Sequence, residues 1–209
     1  MNIKNVITIS LYIFKNWYIW WKKAITIIGY IKVYYKNGWG VVYNPAEYEY
    51  KIHGDYLTEI VSQLQPGDII LRGFDHYLDK WLIPGNFSHS GIYIGDNKVI
   101  HAIAKGVCEH HILDYIQCDR VCVLRPVSGQ DKAIERVKKW VGVKYDFKFN
   151  TKDSSEFYCH EMIANAYIEL HPQTFPVALF GFIIPCLPKK YLAETFTSNV
   201  NFERVLEIL

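Results

Sequence analysis

One cysteine and one histidine have the residue types and the setting of a nucleophilic pair. Cys159 lies near the start of a predicted helix, in the segment Glu-Phe-Tyr-Cys-His-Glu-Met-Ile (156–163). A helix N-terminus and a neighbouring imidazole both favour the thiolate, which is the nucleophilic form of cysteine. His89 opens an otherwise apolar strand, Phe-Ser-His-Ser-Gly-Ile-Tyr-Ile-Gly (87–95), and is the best candidate for the base. The pair predicts acyl-transfer chemistry, with Cys159 partly thiolate at neutral pH.

A second histidine is placed by the predicted hairpin to hold the ring of His89. If the hairpin loop is Gly95-Asp96-Asn97, Gly91 pairs with His101 and His89 pairs with Ile103. The two histidines then lie diagonally on one face of the sheet, with Gly91 leaving space between them. His101 would orient the base, as the third group of such sites does. A two-residue turn would put the histidines on opposite faces and remove His101 from the site.

Each of these residues also has a purely structural interpretation. A buried free cysteine is usually a small hydrophobic residue, and a strand histidine is usually a hydrogen-bonded polar group. A zinc site made of His89, His101 and Cys159 is chemically admissible, but the three residues already explain one another as a nucleophilic set. No metal is therefore predicted.

The remaining histidines and cysteines of the domain are interpreted as structural. His110 and His111 are adjacent on a predicted strand and face opposite sides, so they cannot share a metal; solvated or capping roles are expected. Cys118 and Cys122 are predicted to lie on one face of the same strand, as core residues. Cys108 and Cys186 are expected to be core or unactivated thiols.

The predicted elements that must position these residues place antiparallel strands before the nucleophile helix, which indicates an α+β fold. The predicted strands cover 68–72, 88–95, 98–104, 107–111, 119–125 and 201–208, and the predicted helices cover 55–64, 76–82, 131–141 and 157–170. A capping box at 153–156 is expected to begin the nucleophile helix. The domain boundaries predicted from composition are 1–40 for an N-terminal extension and 55–209 for the catalytic domain.

The N-terminal extension carries lysines and no acidic residue over its first 36 positions. On a helical wheel its polar residues fall within roughly 120°, and the rest is mainly aliphatic and aromatic. With Trp17, Trp20 and Trp21 at the boundary, the pattern predicts an amphipathic helix lying in a membrane interface. A helix docked on its own domain fits equally well. Lysines interrupt any apolar run long enough to span a bilayer.

Composition narrows the class of partner and the compartment. A formal net charge of +2 over 209 residues gives no field that would gather nucleic acid. Five cysteines, an odd number without a CxxC pair, do not indicate a disulfide framework and favour a reducing compartment. No cofactor is predicted.

Four segments in order resemble the permuted NlpC-type papain-like cysteine hydrolases, the YiiX/YaeF/YebB-like permuted papain-like amidases. The matching segments are 64–71, 87–95, 98–102 with 106–107, and 144–147 leading into 156–163. Because the matches are ordered and extend over about half of the chain, they are more specific than any single motif.

The resemblance implies a permuted papain-like fold, with an antiparallel sheet packed on the nucleophile helix and the base preceding the nucleophile. The base and nucleophile positions fall on His89 and Cys159. The third position, often glutamate in the YiiX-like group, is His101 here, as in the related lecithin:retinol-acyltransferase-like enzymes. Tyr145 matches the tyrosine that assists the oxyanion in relatives, a task it would share with the Cys159 backbone N–H.

The function predicted from the residues and the resemblance together is a cysteine hydrolase. It would be an amidase or peptidase that acts on a small amide or peptide through a thioester acyl-enzyme. A lipid acyltransferase or phospholipase of the lecithin:retinol-acyltransferase-like branch is the alternative, which a peripheral membrane contact through residues 1–36 would suit. A binding module without turnover is the third hypothesis, since fold alone does not imply activity.

Overall fold

A six-stranded antiparallel sheet forms the centre of the structure, a computed structural model. It describes residues 17–26, 34–35, 41–42, 49–75, 77, 83, 85–151, 155–179, 182–183 and 188–209. The strands are β1 (Ile69–Gly73), β2 (His89–Tyr93), β3 (Lys98–Ile103), β4 (Gly106–His111), β5 (Arg120–Pro126) and β6 (Phe202–Ile208). Their order across the sheet is β6-β5-β1-β2-β3-β4, and every neighbouring pair is antiparallel.

Helices accompany the sheet. They are α1 (residues 17–26), α2 (Asp55–Gln63), α3 (Ile112–Tyr115), α4 (Gln130–Trp140), α5 (Cys159–Ala166) and α6 (Glu194–Thr197). A 3₁₀ turn covers Ile168–Leu170. Three two-residue strand pairs complete the described elements: Tyr34–Tyr35 with Val41–Val42, Lys144–Tyr145 with Glu156–Phe157, and Ala178–Leu179 with Phe182–Ile183. The predicted α+β class is confirmed.

The sheet is covered on both faces, and the alternation of side chains along each strand assigns residues to one face or the other. Ile92 and Ile100 pack with Met162 and Ile163 of α5 in one buried cluster, which we call the α5 face. On the other side, Val99 packs with Ile60 of α2 and Tyr115 of α3, which defines the Tyr115 face. Different helices therefore pack on the two faces of the same central strands.

The β2–β3 hairpin has the three-residue loop that the sequence predicts. Gly95, Asp96 and Asn97 all have positive φ, at 87°, 51° and 57°, where glycine, aspartate and asparagine are the favoured residues. Ile94 N–H donates to the Lys98 carbonyl at 2.9 Å, and Gly91 pairs with His101. The predicted register is confirmed at that pair, which is the last one of the β2–β3 ladder; the pairing of His89 with Ile103 is not formed.

The helix that carries Cys159 begins later and ends earlier than the predicted range 157–170. Residues Glu156–Phe157 are extended because they pair in parallel with Lys144–Tyr145, so α5 begins at Cys159. The Tyr158 backbone N–H donates to the Glu161 carboxylate at 3.4 Å, which satisfies one donor of the helix start. The capping box predicted at 153–156 is therefore not the cap, and Asp153 itself lies outside the described residues.

Two further predictions need correction or fall outside the described residues. Cys118 precedes β5 and packs on the Tyr115 face, whereas Cys122 lies within β5 and packs on the α5 face, so the two do not share a face. Both are buried core residues, as predicted. Most of the predicted helix over 76–82, and also Cys186, lie outside the described residues.

The helix over residues 17–26 contacts the segment after Tyr145. The indole N–H of Trp21 donates to the Phe147 carbonyl at 3.2 Å, and the Lys22 ammonium lies 5.2 Å from the centre of the Phe147 ring. Trp17 and Trp20 are 60% and 68% exposed. Within the described ranges, no helix is both long enough and apolar enough to cross a membrane.

Candidate active site

Cys159 is the first residue of α5, and its side chain is buried against the start of β2. Its sulfur lies 3.9 Å from the Ser88 carbonyl oxygen, and the backbone amides of Ser90 and His160 form hydrogen bonds that favour the thiolate. Burial outweighs these contacts and raises the pKa of Cys159 to about 11. The expectation of a partial thiolate at neutral pH is therefore wrong for this structure, because desolvation disfavours the charged form. The thiol needs a base.

Three histidines on the adjacent strands β2, β3 and β4 form a hydrogen-bonded chain. His89 Nε2 lies 2.7 Å from His101 Nδ1, and His101 Nε2 lies 2.9 Å from His110 Nδ1. His101 is buried, whereas His110 is exposed at the outer end of the chain. His101 thus contacts His89 as predicted, and His110 extends the chain on the neighbouring strand.

The hydrogen bonds of this chain couple the tautomers of the three rings, so that the proton position on one ring fixes those on the other two. His89 Nε2 is occupied by His101, which leaves Nδ1 as the nitrogen that can accept a thiol proton. Nδ1 can accept only if the proton of neutral His89 is on Nε2 and is donated to His101 Nδ1. His101 must then carry its own proton on Nε2 and donate it to His110 Nδ1. An acceptor at His110 is consistent with the base-competent form of His89.

Burial also keeps the inner histidines neutral. It is the largest cause that lowers the pKa of His89 well below its usual value, followed by the positive charge of Arg72. The same two causes, in the same order, lower the pKa of His101 well below its usual value. A neutral imidazole at His89 and a neutral thiol at Cys159 are therefore the resting forms near pH 7.

Arg72 and Tyr115 form the surroundings that His89 and Cys159 share. Arg72 is the cross-strand partner of His89, and its guanidinium lies 4.3 Å from the centre of the Tyr115 ring. The Arg72 charge lowers the pKa of Cys159 against the larger effect of burial, and the Cys159 thiol in turn raises the pKa of Tyr115, after burial itself. The sulfur therefore lies within electrostatic reach of the groups that flank His89.

Gly91 makes room for the Tyr115 ring between the two strands that carry the histidines. A Cβ atom at Gly91 would lie 2.7 Å from Val99 Cγ1 and 2.9 Å from the Tyr115 ring. The ring centre of Tyr115 lies 5.9 Å from that of His89 and 5.0 Å from that of His101. The space that the sequence assigned to Gly91 is thus filled by an aromatic side chain that supports both rings.

The thiol and His89 approach β2 from different sides. α5 packs on the α5 face, where His160 Nδ1 lies 2.9 Å from Ser90 Oγ, whereas His89 lies with Tyr115 on the opposite face. The sulfur approaches the backbone at residues 88–90. This stretch lies beyond Gly91, which forms the last residue pair between β2 and β3, so β3 does not flank it. Among the described residues, no hydrogen bond joins the His89 ring to the Cys159 sulfur, so the contact between nucleophile and base that the sequence predicts is not formed in this structure. A change of conformation would have to bring the two groups together before a proton could pass between them.

Tyr145 lies beside the segment that leads to Cys159. Its backbone pairs with Phe157, two residues before Cys159, and its ring centre lies 5.0 Å from that of Phe147. This places Tyr145 close to the start of α5, while its action on an oxyanion stays a prediction.

Sequence reasoning missed Arg72, His160 and the role of His110. Arg72 could have been identified as a charged residue near the end of a buried strand. His110 could have been identified from the pairing of β3 with β4, which brings it close to His101. His160 is buried, and burial lowers its pKa to about 3. Its Nε2 has no hydrogen-bond partner among the described residues.

The predicted capping role holds for His111, whose Nδ1 accepts from the Leu113 N–H at 3.2 Å.

The metal-binding potential of the site lies away from the thiol. Among the described residues, His101, Cys108 and His110 offer ligand atoms that all lie within 4.8 Å of one another. This group includes neither His89 nor Cys159, so it differs from the zinc alternative considered from the sequence. The described cysteines, Cys108, Cys118, Cys122 and Cys159, are free thiols.

Comparison with known proteins gives one family. Residues 63–185, more than half of the chain, match the permuted papain-like amidase enzymes of the YaeF/YiiX, C92 family. No curated protein and no solved structure gives a match. The matched residues contain β1 to β5 and α5, and therefore both Cys159 and the histidine chain. The chain belongs to the family of permuted papain-like amidases, YaeF/YiiX, C92, and thus to a group of hydrolases.

Proposed function

We propose that the protein is a cysteine amidase in which Cys159 attacks an amide carbonyl and His89, oriented by His101, is the base. The observation that carries the proposal is the chain His89–His101–His110 beside the strand segment that holds the Cys159 thiol. A histidine pair with one buried and one half-buried ring needs a reason, since a polar group removed from water must recover the hydrogen bonds that it loses. Holding a neutral base in one tautomer is such a reason.

The reaction follows from the neutral resting state. His89 Nδ1 takes the proton of the Cys159 thiol as the sulfur bonds to the carbonyl carbon, and the carbonyl oxygen takes up the displaced electron pair. The tetrahedral intermediate collapses when the carbon–nitrogen bond breaks and His89 donates its proton to the departing amine. Water then attacks the thioester with His89 as base, the acid leaves, and the thiol regains its proton.

Arg72 acts on this reaction through its charge. It favours the thiolate and disfavours the imidazolium, so it helps the nucleophile while it opposes the protonated base. The developing oxyanion needs donors of its own, and the Cys159 backbone N–H, which is free of an intrahelical partner at the helix start, would share this task with Tyr145.

A lipid acyl substrate is the second candidate, and the N-terminal helix favours it. Trp17 and Trp20 are exposed on a helix that contacts Phe147, in the segment between Tyr145 and the nucleophile. Tryptophan is enriched at membrane interfaces, because its ring is apolar and its indole N–H can form hydrogen bonds with water or headgroups. Such a helix would present the site to acylated lipids.

The decisive experiment captures the acyl group on Cys159. Purified protein is incubated with a small-amide, peptide and phospholipid panel, quenched with acid, and digested for mass spectrometry of the peptide that contains Cys159. An acyl adduct from an amide or peptide supports the amidase, and a fatty-acyl adduct selects the lipid branch. Cys108→Ser is the matched control because it removes another thiol of the same domain. No adduct on Cys159 with any substrate, despite a folded protein, would leave the binding module as the better account.

A further inference from the structure

His101 on β3 and Cys108 and His110 on β4 form a cluster of potential metal ligands. The proposed reaction assigns a role to the two histidines and none to Cys108. His101 pairs directly with Cys108 across the two strands, and His110 lies two residues further along β4. Residues two apart on a strand project to the same side, as do directly paired residues. The three side chains therefore converge on one side of the hairpin, and one ligand atom from each lies within 4.8 Å of the other two.

The ligand atoms suit zinc or a chemically similar divalent cation. Imidazole nitrogen and thiolate sulfur are standard zinc ligands at about 2.0–2.1 Å and about 2.3 Å, so tetrahedral ligand atoms lie about 3.3–3.6 Å apart. His101 Nε2 and His110 Nδ1 are already 2.9 Å apart. No side of the triangle exceeds 4.8 Å, so the ligand atoms need to move together by at most about 1.5 Å, a shift within reach of side-chain rotation.

The position of the set allows an ion to enter from solvent. Cys108 is half-buried and His110 is exposed, whereas His101 is buried. An ion held by these three ligands would keep its fourth position open to water, on the side of the exposed His110. His101 would then connect the ion to His89, because its other nitrogen, Nδ1, lies 2.7 Å from His89 Nε2.

We propose that His101, Cys108 and His110 form a regulatory site for Zn²⁺ or a similar divalent cation, and that occupation of the site switches off His89 as a base. The switch rests on the proposed function of His89. The site itself does not, because its ligands are defined by their own geometry.

The tautomers of the histidine chain give the mechanism of the switch. A metal bond at His101 Nε2 moves the proton of that ring to Nδ1, which then donates to His89 Nε2. His89 in turn carries its single proton on Nδ1, the nitrogen that has to accept the thiol proton. Each ring keeps one proton, and the only proton released to solvent is that of the Cys108 thiol, which binds as thiolate.

The first measurement tests the site without any assumption about catalysis. Co²⁺ is titrated into the full-length protein, and the sulfur-to-cobalt charge-transfer absorption is recorded. The proposal expects the band in the unmodified protein and in Cys159→Ser, and its loss in Cys108→Ser, with at least about a tenfold weaker affinity. His110→Ala, at an exposed position, gives an independent variant that should also lose affinity. A band that survives Cys108→Ser and disappears in Cys159→Ser would overturn the site.

The second measurement tests the switch. The rate of iodoacetamide labelling at Cys159 is followed by mass spectrometry with and without Zn²⁺. Because a wrong tautomer removes the base, Zn²⁺ should slow labelling at least about 100-fold in the unmodified protein and leave Cys108→Ser nearly unchanged. Cobalt binding through Cys108 with no slowing by Zn²⁺ would overturn the switch. If His89→Ala does not slow metal-free labelling, the proposed function fails, while the cobalt band still decides the site.

Discussion

Arg72 lies directly opposite His89 in the β1–β2 pair, so that a permanent positive charge adjoins the proposed base. After burial, this charge is the largest cause that lowers the pKa of His89, and it also lowers the pKa of Cys159 against the effect of burial. Arg72 thus favours the neutral form of the proposed base and the thiolate of the proposed nucleophile at the same time. The effect distinguishes Arg72 from a residue that only fills space.

Removing the charge of Arg72 should move the pH dependence of Cys159 labelling to higher pH. In Arg72→Met the pKa of His89 rises, so the base becomes protonated, and labelling slows, at a higher pH than in the unmodified protein. The pKa of Cys159 rises as well, from about 11, so the direct thiolate reaction also starts later. The rate of iodoacetamide labelling between pH 4 and 11 measures both effects: the acid limb reports protonation of His89, and the alkaline limb reports thiolate formation at Cys159.

Arg72→Lys is the matched control because it keeps the charge while losing the geometry of the guanidinium, whose Nη1 donates to the Tyr115 carbonyl at 2.6 Å. It should keep the acid limb close to that of the unmodified protein. An equal shift in both variants would assign the effect to packing against Tyr115 and not to charge.

His110 should act on the base through His101, provided that its side chain accepts a hydrogen bond. In His110→Ala the Nε2–H of His101 loses its acceptor, and the base-competent tautomer is no longer favoured, so labelling of Cys159 should slow about tenfold. Asparagine can place its amide oxygen near the position of Nδ1, so His110→Asn should stay within about threefold of the unmodified rate. Long-range ¹H–¹⁵N spectra of the rings report the tautomers directly.

The neighbouring histidine provides the control for this comparison. His111 is exposed and caps α3 by accepting from the Leu113 N–H. His111→Asn keeps a capping acceptor and should leave both the labelling rate and the ring spectra of His89 and His101 unchanged. If His110→Ala preserved the Nε2–H tautomer of His89, the outer histidine would have no positioning role.

The hairpin that carries His89 and His101 could be predicted from sequence because its determinants are local. Gly95, Asp96 and Asn97 specify a loop of positive φ, and the loop fixes the pairing of Gly91 with His101. The same reasoning extends to His110, since a tight connection between β3 and β4 pairs His101 with Cys108. That extension was available in the sequence and was missed.

Other parts of the site depend on contacts between distant segments. The start of α5 at Cys159 follows from the pairing of Glu156–Phe157 with Lys144–Tyr145, which periodicity within the helix cannot reveal. The raised pKa of Cys159 comes from burial by the assembled fold, so the helix start alone predicted the wrong direction. Local patterns gave the identity of the candidate residues, and tertiary packing sets their protonation.

The protein should lose stability as the pH falls below about 6.5, the pKa of histidine in the unfolded chain. Burial lowers the folded-state pKa values of His89, His101 and His160, that of His160 to about 3. Between these values and about 6.5, the unfolded chain binds protons that the folded chain does not, so acid favours unfolding. Each such histidine contributes a slope of about 1.4 kcal/mol per pH unit to the free energy of unfolding.

Urea unfolding at pH 7.5, 6.0 and 5.0 measures this slope. His160→Asn removes one buried titrating ring while keeping an atom that can bond Ser90 Oγ, so its free energy of unfolding should depend less steeply on pH. Gln117→Ala, which removes an exposed side chain without a titrating group, should leave the slope as it is. A slope that does not change in His160→Asn would mean that His160 is protonated to the same extent in the folded and unfolded chain.

The N-terminal helix should bind anionic membranes through the tryptophans that the fold leaves exposed. The sequence left membrane binding and docking as alternatives, and the contacts of residues 17–26 make the two compatible: Trp21 bonds to Phe147, whereas Trp17 and Trp20 are exposed on the same helix. Lys22 and Lys23 add attraction to acidic lipid, worth about 1 kcal/mol per lysine near the surface. Co-sedimentation with phosphatidylserine vesicles at low salt measures the binding.

The two sets of tryptophans should separate membrane binding from docking. Trp17→Ala with Trp20→Ala should release the protein from vesicles and leave the melting temperature nearly unchanged, because exposed side chains contribute little to folding. Trp21→Ala should lower the melting temperature, since it removes the hydrogen bond to Phe147 and the packing around it. Added salt should weaken vesicle binding by screening the lysines. Full vesicle binding by the Trp17 and Trp20 double variant, or by protein that lacks residues 1–36, would reject this helix as the anchor and leave docking on the Phe147 segment as its role.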